Sequence, residues 1–482
     1  MCYKNSGGDM KMFLNNFKDF VKDSVVLNGL IMKSPNLEEI ENLPVTIVPS
    51  PFPSELFYNV ARIQKDFNLL FNKISHDYDT LYEILKNVIE TDDFIRRLWN
   101  IFKIIKNQHD NQTVFLSLIR NDYMICLPAE YQNSKEDLSE LVMKPGVSLK
   151  QIEYNLMASS FAGMSQKVID FHKTNLKLMG VKMSDITSKV PSNHPADGFA
   201  KGLICAWKIY KKIKAAILFI VGENERNIYD QRILEQCIYN QNSSIIVLRK
   251  SFEQCSRESK LGADNSLWIN DIEIAVVYFR SGYAPDHFYN EQIWDTKLML
   301  EKSRAIKCPN IQQMLVNTKL VQQALCNYSL MTKYLPSVVA KELIETFANQ
   351  FLLTDSDKVE TALQFPERFV LKPQREGGGN NFFDDELVQK LKEIKDTDEK
   401  YQFVLMERIY PASCVNYIIN SHGEISKQSI VSELGIYGVF LSNENEMHAN
   451  YQCGHLLRSK PTNVKESGIA AGFGCIDSVY LV

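Results

Sequence analysis

The residues with the clearest chemical potential lie in residues 369–381, whose sequence is FVLKPQREGGGNN. A short apolar strand leads there into two cations, a carboxylate, three glycines and two amides. Glycines reach positive φ and have no side chain to block a ligand, so their N–H groups can converge on phosphate oxygens. Lys372 and Arg375 would supply positive charge, and Glu376 an oxygen ligand for Mg2+. The segment predicts a nucleotide-phosphate clamp, with a flexible glycine-rich hairpin as the alternative; it is not the commoner G-x-x-x-x-G-K-[ST] phosphate loop.

A second group of oxygen ligands lies on a predicted strand at residues 151–155. Glu153 and Asn155 are two residues apart, so both side chains leave the same face of the strand and could share a cation with Glu376. Carboxylate and amide oxygens suit Mg2+ rather than zinc. The alternative is a polar, solvent-facing side of an edge strand.

Two arginines are predicted at the ends of apolar strands. Arg120 follows residues 114–119, and Arg280 follows residues 272–279. A guanidinium at such a place either forms a structural ion pair or holds a substrate carboxylate through a bidentate fork. Both interpretations stay open for both residues.

A third cluster combines Glu225 and Asn227 with Gln231 one helical turn later. Neighbouring carboxylate and amide groups at the start of a helix could bind the ammonium and carboxylate of an amino-acid-like substrate. A capping arrangement explains the same residues.

The C-terminal region has a fourth candidate. Arg458 and Lys460 alternate on one face of a predicted strand, so both could address one ligand. The later segment 468–474 (GIAAGFG) could close its backbone amides over an anion, or could be a disordered loop.

Strand and helix signals alternate in residues 213–315. This part of the chain carries the cluster at Glu225 and the arginine Arg280. Strands are predicted at 215–221, 244–248 and 272–279, with an amphipathic helix at 229–239. This order predicts a right-handed parallel α/β lobe, whose ligands bind at the carboxyl ends of the strands.

The first hundred or so residues have a helical pattern and are interpreted as scaffold. Leu56, Val60, Ile63 and Phe67 recur at the spacing of one helix face. The chain is too long for one hydrophobic core, so we expect several parts of an α/β (α+β) protein.

Composition excludes some partners. The 54 basic and 58 acidic residues give a net charge of −4 without a long basic stripe, which argues against nucleic acid and favours small ligands. No segment approaches 18 uninterrupted apolar residues, so no membrane is expected. The ten cysteines are scattered without metal-site spacing. The start of the chain lacks the apolar core of a signal peptide, so we expect a cytoplasmic protein, or a secreted one if a leader upstream of this sequence was removed.

Together these motifs resemble eukaryotic glutathione synthetase, a family of homodimeric ATP-grasp ligases. The matching segments are 119–124 (IRNDYM), 151–155 (QIEYN), 225–231 (ERNIYDQ), 278–283 (YFRSGY), 369–381, 432–435 (SELG) and 455–460 (HLLRSK). The resemblance implies an ATP-grasp fold with an inserted parallel α/β substrate-binding lobe, a helical region and a lid. It also implies ATP and Mg2+ as cofactors, and ligation of γ-glutamylcysteine to glycine through an acyl phosphate.

The resemblance divides the chain and assigns roles to residues. It implies a helical N-terminal region with the first part of the ATP-grasp core (1–212), the substrate-binding domain (213–317), and the lid with the rest of the core (318–482). The implied catalytic residues are Arg120, Lys372 and Arg458, and the implied metal ligands are Glu153, Asn155 and Glu376. The implied nucleotide contacts are Lys319, Lys372, Glu376, Gly377, Gly378, Gly379, Asn380, Asn381, Phe383, Met406, Glu407, Arg408, Ile409, Glu433, Lys460 and Glu466. The implied substrate contacts are Arg120, Ala158, Ser159, Ser160, Glu225, Asn227, Gln231, Arg280, Tyr283, Arg458, Ile469 and Ala470.

The chain departs from the family pattern at a few of these places. Ala158, Ser281 and Phe383 stand where the family usually has Ser, Asp and Tyr, and Glu466 and Ser467 replace Asp and Gly. Losing one hydroxyl partner costs on the order of 1 kcal/mol, so such changes could alter substrate choice without abolishing ATP binding. The alternative hypothesis is therefore a paralogue with an altered acceptor or donor, or with little synthetase activity, recruited as a secreted effector-like or binding protein.

Overall fold

The computed structural model describes residues 6–108, 112–132, 134, 136, 138–465, 468–469 and 472–482. These residues form helices together with sheets of seven, six, three, two and two strands. The predicted α/β (α+β) class is confirmed.

The first part of the chain is mainly helical, as predicted. Its elements are α1 (Ser6–Leu27), β1 (Ile31–Lys33), β2 (Ile40–Asn42), β3 (Val45–Thr46), β4 (Ser50–Phe52), α2 (Ser54–Ser75), α3 (Tyr78–Thr91), α4 (Asp93–Lys106), β5 (Phe115–Cys126), α5 (Leu138–Leu141), β6 (Ser148–Asn155), α6 (Ala162–Leu178), α7 (Met183–Lys189) and α8 (Pro195–Tyr210). On α2, the predicted apolar face is confirmed because Val60, Ile63 and Phe67 are buried. Asp77 and Asp92 cap α3 and α4 by accepting hydrogen bonds from backbone amides three residues on.

The middle of the chain is the predicted α/β lobe. Its elements are β7 (Ala216–Ile220), α9 (Ile228–Gln241), β8 (Val247–Lys250), α10 (Phe252–Glu258), β9 (Ser259–Leu261), β10 (Leu267–Ile269), β11 (Ile272–Phe279), α11 (Glu291–Lys302) and β12 (Ile306–Cys308). Strands β8, β7 and β11 pair in parallel, as predicted, although β8 lies three residues later than the predicted segment 244–248. Strand β12, which was not predicted, pairs in parallel with β11. The short strands β9 and β10 add an antiparallel edge that was not predicted.

The last part begins with a helical stretch and ends in long strands. Its elements are α12 (Ile311–Val316), α13 (Lys319–Ala324), α14 (Tyr328–Tyr334), α15 (Ser337–Glu345), β13 (Gln350–Leu352), α16 (Ser356–Gln364), β14 (Phe369–Pro373), α17 (Asp384–Ile394), β15 (Phe403–Glu407), β16 (Ser413–Ile419), β17 (Ile425–Ser442), β18 (Met447–Pro461), β19 (Cys475–Asp477) and β20 (Val479–Leu481). Strands β13, β15 and β14 form a small antiparallel sheet, and β14 leads into the glycine-rich segment. Among the described residues, no helix is long and apolar enough to cross a membrane.

A seven-stranded sheet joins the first and last parts of the chain. Its strand order is β16-β3-β19-β18-β17-β5-β6. The register places Gly435 of β17 opposite Asp122 of β5, and Glu433 opposite Arg458 of β18. The shared sheet fits a core split between both ends of the chain. We retain the division into residues 1–212, 213–317 and 318–482 as a proposal.

The end of the strand that carries Arg120 was predicted wrongly. The strand expected at residues 114–119 continues to Cys126, so Arg120 lies within β5 and does not end it. Arg120 and Asp122 lie on one face of this strand and form an ion pair with an N–O distance of 2.6 Å. Since each charge has a partner, both residues can remain buried and the strand can continue.

Candidate active site

A cavity of about 420 Å³ lies where the seven-stranded sheet, the α/β lobe and the three-stranded sheet meet. Side chains and loops from all three sheets line it, and most of the predicted residues are among them. These are Arg120, Glu153, Asn155, Ala158, Ser160, Glu225, Asn227, Arg280, Tyr283, Lys319, Lys372, Glu376, Gly377, Gly378, Asn380, Asn381, Phe383, Met406, Glu407, Arg408, Ile409, Glu433, Arg458, Lys460 and Ile469. Segments far apart in sequence therefore converge on one site.

Five predicted residues are not among those lining the cavity. Ser159 is buried, and its hydroxyl donates to main-chain oxygens of β5 and β6. Gln231 is buried on α9 behind the cavity wall. Gly379 is exposed next to the two lining glycines. Glu466 and Ala470 lie outside the described residues.

A lysine between two carboxylates forms one end of the cavity. Lys319 Nζ, at the start of α13, donates to Glu376 Oε1 at 2.9 Å and to Glu153 Oε2 at 3.1 Å. Burial alone would lower the pKa of Lys319, but the two carboxylates raise it above its usual value. Burial raises the pKa of Glu153, yet the Lys319 and Lys372 ammonium groups outweigh burial and hold that pKa well below its usual range. For Glu376, burial and the nearby Glu153 carboxylate raise the pKa.

The second lysine of this end comes from β14. Lys372 Nζ donates to the main-chain oxygen of Ile152 at 2.9 Å. Burial lowers the pKa of Lys372, and the carboxylate of Glu153 offsets part of that effect. Two ammonium groups thus face two carboxylates, a charge balance suited to polyphosphate bound together with a divalent cation.

Glu153, Asn155 and Glu376, the predicted magnesium ligands, all line the cavity, and the two glutamates share Lys319 as a hydrogen-bond donor. The described residues contain no group of three or more His, Cys, Asp and Glu side chains that could hold a metal. The predicted set has two carboxylates and one amide, which is the composition expected when phosphate oxygens and water complete an octahedral Mg2+ shell. Lys319 now neutralises both carboxylates, so a cation would take over part of its electrostatic role.

Buried ion pairs on the seven-stranded sheet form another wall. Arg120 Nε and Nη2 donate to the two oxygens of Asp122 at 2.6 and 2.7 Å. Arg458 Nη2 donates to Asp122 at 3.1 Å and to Glu433 at 2.9 Å. Burial would lower the pKa of Arg120, but Asp122 raises it above its ordinary value. We call Arg120, Asp122, Glu433 and Arg458 the cavity floor.

A second arginine holds the loop that follows β6. Arg280 Nη1 donates to Ser159 O at 3.1 Å, and Nη2 donates to Ser160 Oγ at 2.9 Å. The Ser160 carbonyl accepts from Tyr437 at 2.6 Å and from Arg120 at 3.2 Å. The Arg280 Nε atom is buried and has no hydrogen-bond partner in the described part of the chain. The loop therefore joins Arg120 and Arg280, two of the predicted substrate arginines.

This loop has an unusual backbone that Asp230 stabilises. Ala158 and Phe161 have φ values of 53° and 67°, in the left-handed region that non-glycine residues seldom adopt. The Asp230 carboxylate accepts from the backbone amides of Phe161, Gly163 and Met164 at 2.7–3.1 Å. Asp230, which lies on α9 of the α/β lobe, thereby fixes the loop at the start of α6.

The cluster at the start of α9 extends behind the cavity wall. Glu225 Oε2 accepts from Gln231 Nε2 at 2.5 Å, and Gln231 Oε1 accepts from Arg249 at 2.7 Å. Asn227 occupies the N-cap position, but no capping hydrogen bond of its side chain is seen among the described residues. Glu225 and Asn227 face the cavity, whereas Gln231 contacts Glu225.

The three glycines after β14 all have positive φ, with values of 104°, 74° and 75° for Gly377, Gly378 and Gly379. Asn380 Nδ2 donates back to the carbonyl of Gly378 at 3.1 Å. A Cβ on Gly377 would lie 3.6 Å from the ring of Tyr283, so the loop approaches the α/β lobe closely. We call residues 377–380 the glycine loop.

An apolar pocket lies on the same face of β14 as Lys372, since Val370 is two residues before that lysine. Ala348, Val370 and Met406 are buried together, and Phe383 and Ile409 pack against them. A small apolar cleft bordered by polar backbone suits a flat heterocyclic base. Phe383 faces two cations, since the guanidinium of Arg408 and the ammonium of Lys465 lie near its ring.

The segment after β18 also lines the cavity. Lys460 Nζ donates to the carbonyl of Lys465 at 2.6 Å, and Lys465 Nζ lies 2.9 Å from Asp384 Oδ2. Gly468 and Ile469 line the cavity. This segment is therefore tied to α17 beside the glycine loop.

Sequence reasoning missed several residues of the site. Asp122 was not selected, although its two-residue spacing from Arg120 is the pattern of a same-face ion pair. Thr462 and Lys465 line the cavity but lie outside the quoted motifs, and Val370 lies within the segment 369–381 but was not selected. Only the three-dimensional arrangement of β14 and the segment after β18 brings them there.

The architecture and the cavity define a nucleotide-dependent ligase of the ATP-grasp type. A sequence profile described as the ATP-binding domain of eukaryotic glutathione synthase matches residues 11–481. Glutathione synthetases of Xenopus laevis and Homo sapiens are each 37% identical over 471 residues, which is 95% of this chain and 95% of each relative. A chloroplastic glutathione synthetase of Solanum lycopersicum is 33% identical over 470 residues, 95% of this chain and 82% of the relative. The chain belongs to the eukaryotic glutathione synthase family.

A solved structure has the same fold. The apo form of a glutathione synthetase-like effector from Globodera pallida gives a TM-score of 0.77 at 23% identity. The match covers 98% of this chain and 97% of that protein. At this identity, the likeness concerns the fold alone.

Proposed function

We propose that this protein joins γ-glutamylcysteine to glycine with hydrolysis of ATP to ADP and phosphate, giving glutathione. The family and its named relatives support this function. The single observation that carries it is the convergence, in one cavity, of a phosphate-type end at Lys319 and Lys372 with a carboxylate-type end at Arg120 and Arg280. Both ends are needed when a substrate carboxylate must reach a nucleotide phosphate.

Each end of the cavity has its own proposed ligand. The triphosphate would lie between the glycine loop and the two lysines, with the base against Met406 and Ile409 and the ribose beside Glu433. The dipeptide would lie along Arg120, Ser160, Glu225, Asn227, Arg280 and Tyr283. Glycine would place its carboxylate at Arg458, near the backbone of Ile469. These assignments rest on the resemblance and on the common cavity.

Glu153, Asn155 and Glu376 would hold Mg2+. When bound, the ion would neutralise phosphate charge and orient the phosphoryl group. Lys319 would then be released from its two carboxylate partners and could donate to phosphate oxygens instead.

The chain's own residues would act mainly by positioning and charge stabilisation. Arg120 and Arg280 would orient the C-terminal carboxylate of the dipeptide, which attacks the γ-phosphorus and forms an acyl phosphate with release of ADP. Lys319 and Lys372 would stabilise the charge that develops on the transferred group. Glycine, with its carboxylate at Arg458, would then attack the activated carbonyl through its amine and expel phosphate. Closure of the glycine loop would exclude water, which would otherwise hydrolyse the acyl phosphate.

The first test measures product directly. Purified protein is incubated with Mg-ATP and γ-glutamylcysteine, with and without glycine, and ADP and tripeptide are quantified by mass spectrometry. We expect tripeptide only with glycine, and none from Glu376→Ala, which removes a proposed metal ligand. Lys341→Ala, a change on the outer side of α15, serves as the matched control.

Other outcomes separate the alternatives. ATP binding without tripeptide would contradict the proposed function and favour a changed donor or acceptor, or the effector-like role. A screen of other amino acids and thiol peptides would then follow. Glycine-dependent turnover would instead make Ala158, Ser281 and Phe383 tolerated variation.

We also propose that the protein is a homodimer, because the family implies one. Exposed apolar side chains on α1 are available for such a contact, namely Met12, Phe20, Val26 and Leu27. Light scattering after size exclusion should give twice the chain mass of 55.4 kDa. A monomeric mass at micromolar concentration would contradict the proposal. The cytoplasmic location stays a prediction from sequence, to be checked by cell fractionation.

A further inference from the structure

One buried carboxylate contacts three different residues of the proposed site. Asp122 accepts two hydrogen bonds from Arg120, one from Arg458 Nη2 at 3.1 Å and one from Asn155 Nδ2 at 3.1 Å. The donors come from β5, β18 and β6, and Asp122 itself has no exposed surface. A single group therefore connects side chains proposed for the dipeptide, for glycine and for the metal.

The backbone of the neighbouring strand leaves room for this group. Gly435 of β17 is opposite Asp122, and a Cβ there would lie 2.8 Å from both Asp122 Oδ1 and Arg120 Cδ. Real Cβ atoms do not approach so closely, so any side chain at this position would displace the ion pair. The glycine and the carboxylate form one packed arrangement.

The chemistry of the contacts requires a carboxylate. Two oxygens with about four lone pairs can accept four hydrogen bonds, whereas an amide offers one oxygen and presents N–H groups to its neighbours. The four surrounding atoms are all donors, and three of them belong to the guanidinium groups of Arg120 and Arg458. An asparagine would turn two attractive contacts with Arg120 into one attraction and one repulsion.

We propose that Asp122 is a positioning residue that holds Arg120, Arg458 and Asn155 in one fixed arrangement, so that the substrate and metal ends of the cavity are set by one group. The inference rests on the proposed function for the names of the substrates. Asp122 does not touch substrate or reacting atoms, since it lies beneath the residues that do.

The main variant is Asp122→Asn, which keeps the shape of the side chain and removes its charge. A hydrogen bond to a charged group contributes about 1.5–3 kcal/mol, so we expect the KM for γ-glutamylcysteine and the KM for glycine each to rise roughly 10- to 100-fold. Because Asp122 also holds Asn155, the Mg2+ concentration that gives half-maximal turnover should rise as well. The KM for ATP at saturating Mg2+ should change by less than about threefold, because the glycine loop and Lys372 do not contact Asp122. Calorimetric titration with γ-glutamylcysteine should show the same loss of affinity without turnover.

Two controls separate positioning from general damage to the fold. Glu301→Gln breaks another fully buried ion pair, that of Glu301 with Lys297 on α11, outside the cavity. It should lower the unfolding temperature as Asp122→Asn does, yet leave both KM values unchanged. Gly435→Ala should reproduce the paired KM increases with the carboxylate intact, whereas Gly222→Ala, where the described residues leave open space, should not.

The outcomes also separate this inference from the proposed function. If the wild-type protein turns over and Asp122→Asn has KM values for γ-glutamylcysteine and for glycine within about twofold of those of wild type, the positioning role is overturned. An increase confined to one substrate would overturn it as well. Wild-type protein that binds the dipeptide but makes no tripeptide would refute the proposed function, and the calorimetric comparison would still decide the role of Asp122.

Discussion

The cavity floor and the glycine loop hold their residues in different ways. On the floor, Arg120, Asp122, Glu433 and Arg458 lie on three adjacent strands and pair with one another at 2.6–3.1 Å. In the glycine loop, residues 377–380 are exposed and keep their shape through positive φ angles and a few hydrogen bonds of Asn380. The floor is fixed by sheet register before any ligand arrives, whereas the loop can change its conformation when one binds.

The cavity floor and the glycine loop therefore suit different tasks, recognition of substrates and exclusion of water. Recognition of carboxylates needs guanidinium forks held at fixed angles, which buried ion pairs provide. Exclusion of water needs a cover that opens and closes, which a buried network would prevent. Substitutions on the floor should therefore alter affinity strongly, and substitutions in the loop should alter turnover mildly.

The largest effect is expected where the two regions meet, at Lys319. Its ammonium joins Glu153, beside the floor, to Glu376 at the base of the glycine loop. Lys319→Met removes a donor to the transferred phosphoryl group, so we expect kcat to fall about 10²- to 10³-fold. The variant also takes the shared partner from two partly buried carboxylates, which should cost about 1–3 kcal/mol of unfolding free energy.

Single-turnover kinetics and urea unfolding measure these two effects. Lys333→Met, which breaks a half-exposed ion pair with Asp77, is the matched control and should change neither quantity much. A Lys319→Met protein with turnover near that of wild type would show that the ammonium serves the fold alone.

The second prediction concerns the guanidinium that holds the loop after β6. Arg280→Lys keeps the charge but loses the fork that reaches Ser159 and Ser160 together. We expect the KM for γ-glutamylcysteine to rise roughly 10- to 100-fold and the KM for glycine to stay the same. Steady-state kinetics with each substrate varied in turn checks this. Equal effects on both substrates would mean that Arg280 shapes the whole cavity.

The sequence predicted the site's residues better than it predicted how they are held. Lys372, Glu376 and the three glycines could be recognised because the clamp is local, with all its parts within eight residues. Glu153 and Asn155 could be paired because strand periodicity is fixed. The bridging position of Lys319 could not be predicted, since it depends on how α13 packs beside β6 and β14.

Two features of the fold also lay beyond sequence reasoning. The end of β5 was misplaced because Arg120 and Asp122 look like strand terminators until their mutual pairing is seen. The antiparallel strands β9 and β10 are three residues each, too short for a periodic signal. In both places tertiary contacts override the local pattern.

The third prediction uses pH to test how tightly β18, the strand that carries Arg458 of the floor, is packed on its other face. His455 lies on β18, three residues before Arg458, and burial lowers its pKa to about 3 from an ordinary value of 6.5. Since the folded pKa is depressed, this group's contribution to stability is complete above pH 6.5 and is lost as pH falls toward 3. Wild type should lose about 1.4 kcal/mol of unfolding free energy per pH unit more than His455→Asn in that window.

Urea unfolding at several pH values between 7.5 and 4.5 measures the difference. The exposed His422, replaced by Asn, is the matched control and should leave the wild-type slope unchanged. Parallel curves for wild type and His455→Asn would mean that water reaches His455 and that the face of β18 opposite Arg458 is packed less tightly than its burial indicates.

The smallest effect is expected in the glycine loop. Gly378 has φ of 74°, and no atom of the described residues lies within 4 Å of the position that a Cβ would take. Gly378→Ala therefore causes no clash, and its cost is the backbone strain of an alanine at positive φ, roughly 1 kcal/mol. We expect kcat to fall about fivefold while both amino-acid KM values stay unchanged. Gly222→Ala, which is equally open but lacks a positive φ, should have no effect. A raised KM for γ-glutamylcysteine in Gly378→Ala would show that the loop takes part in recognition, and the division between a fixed floor and a movable cover would then fail.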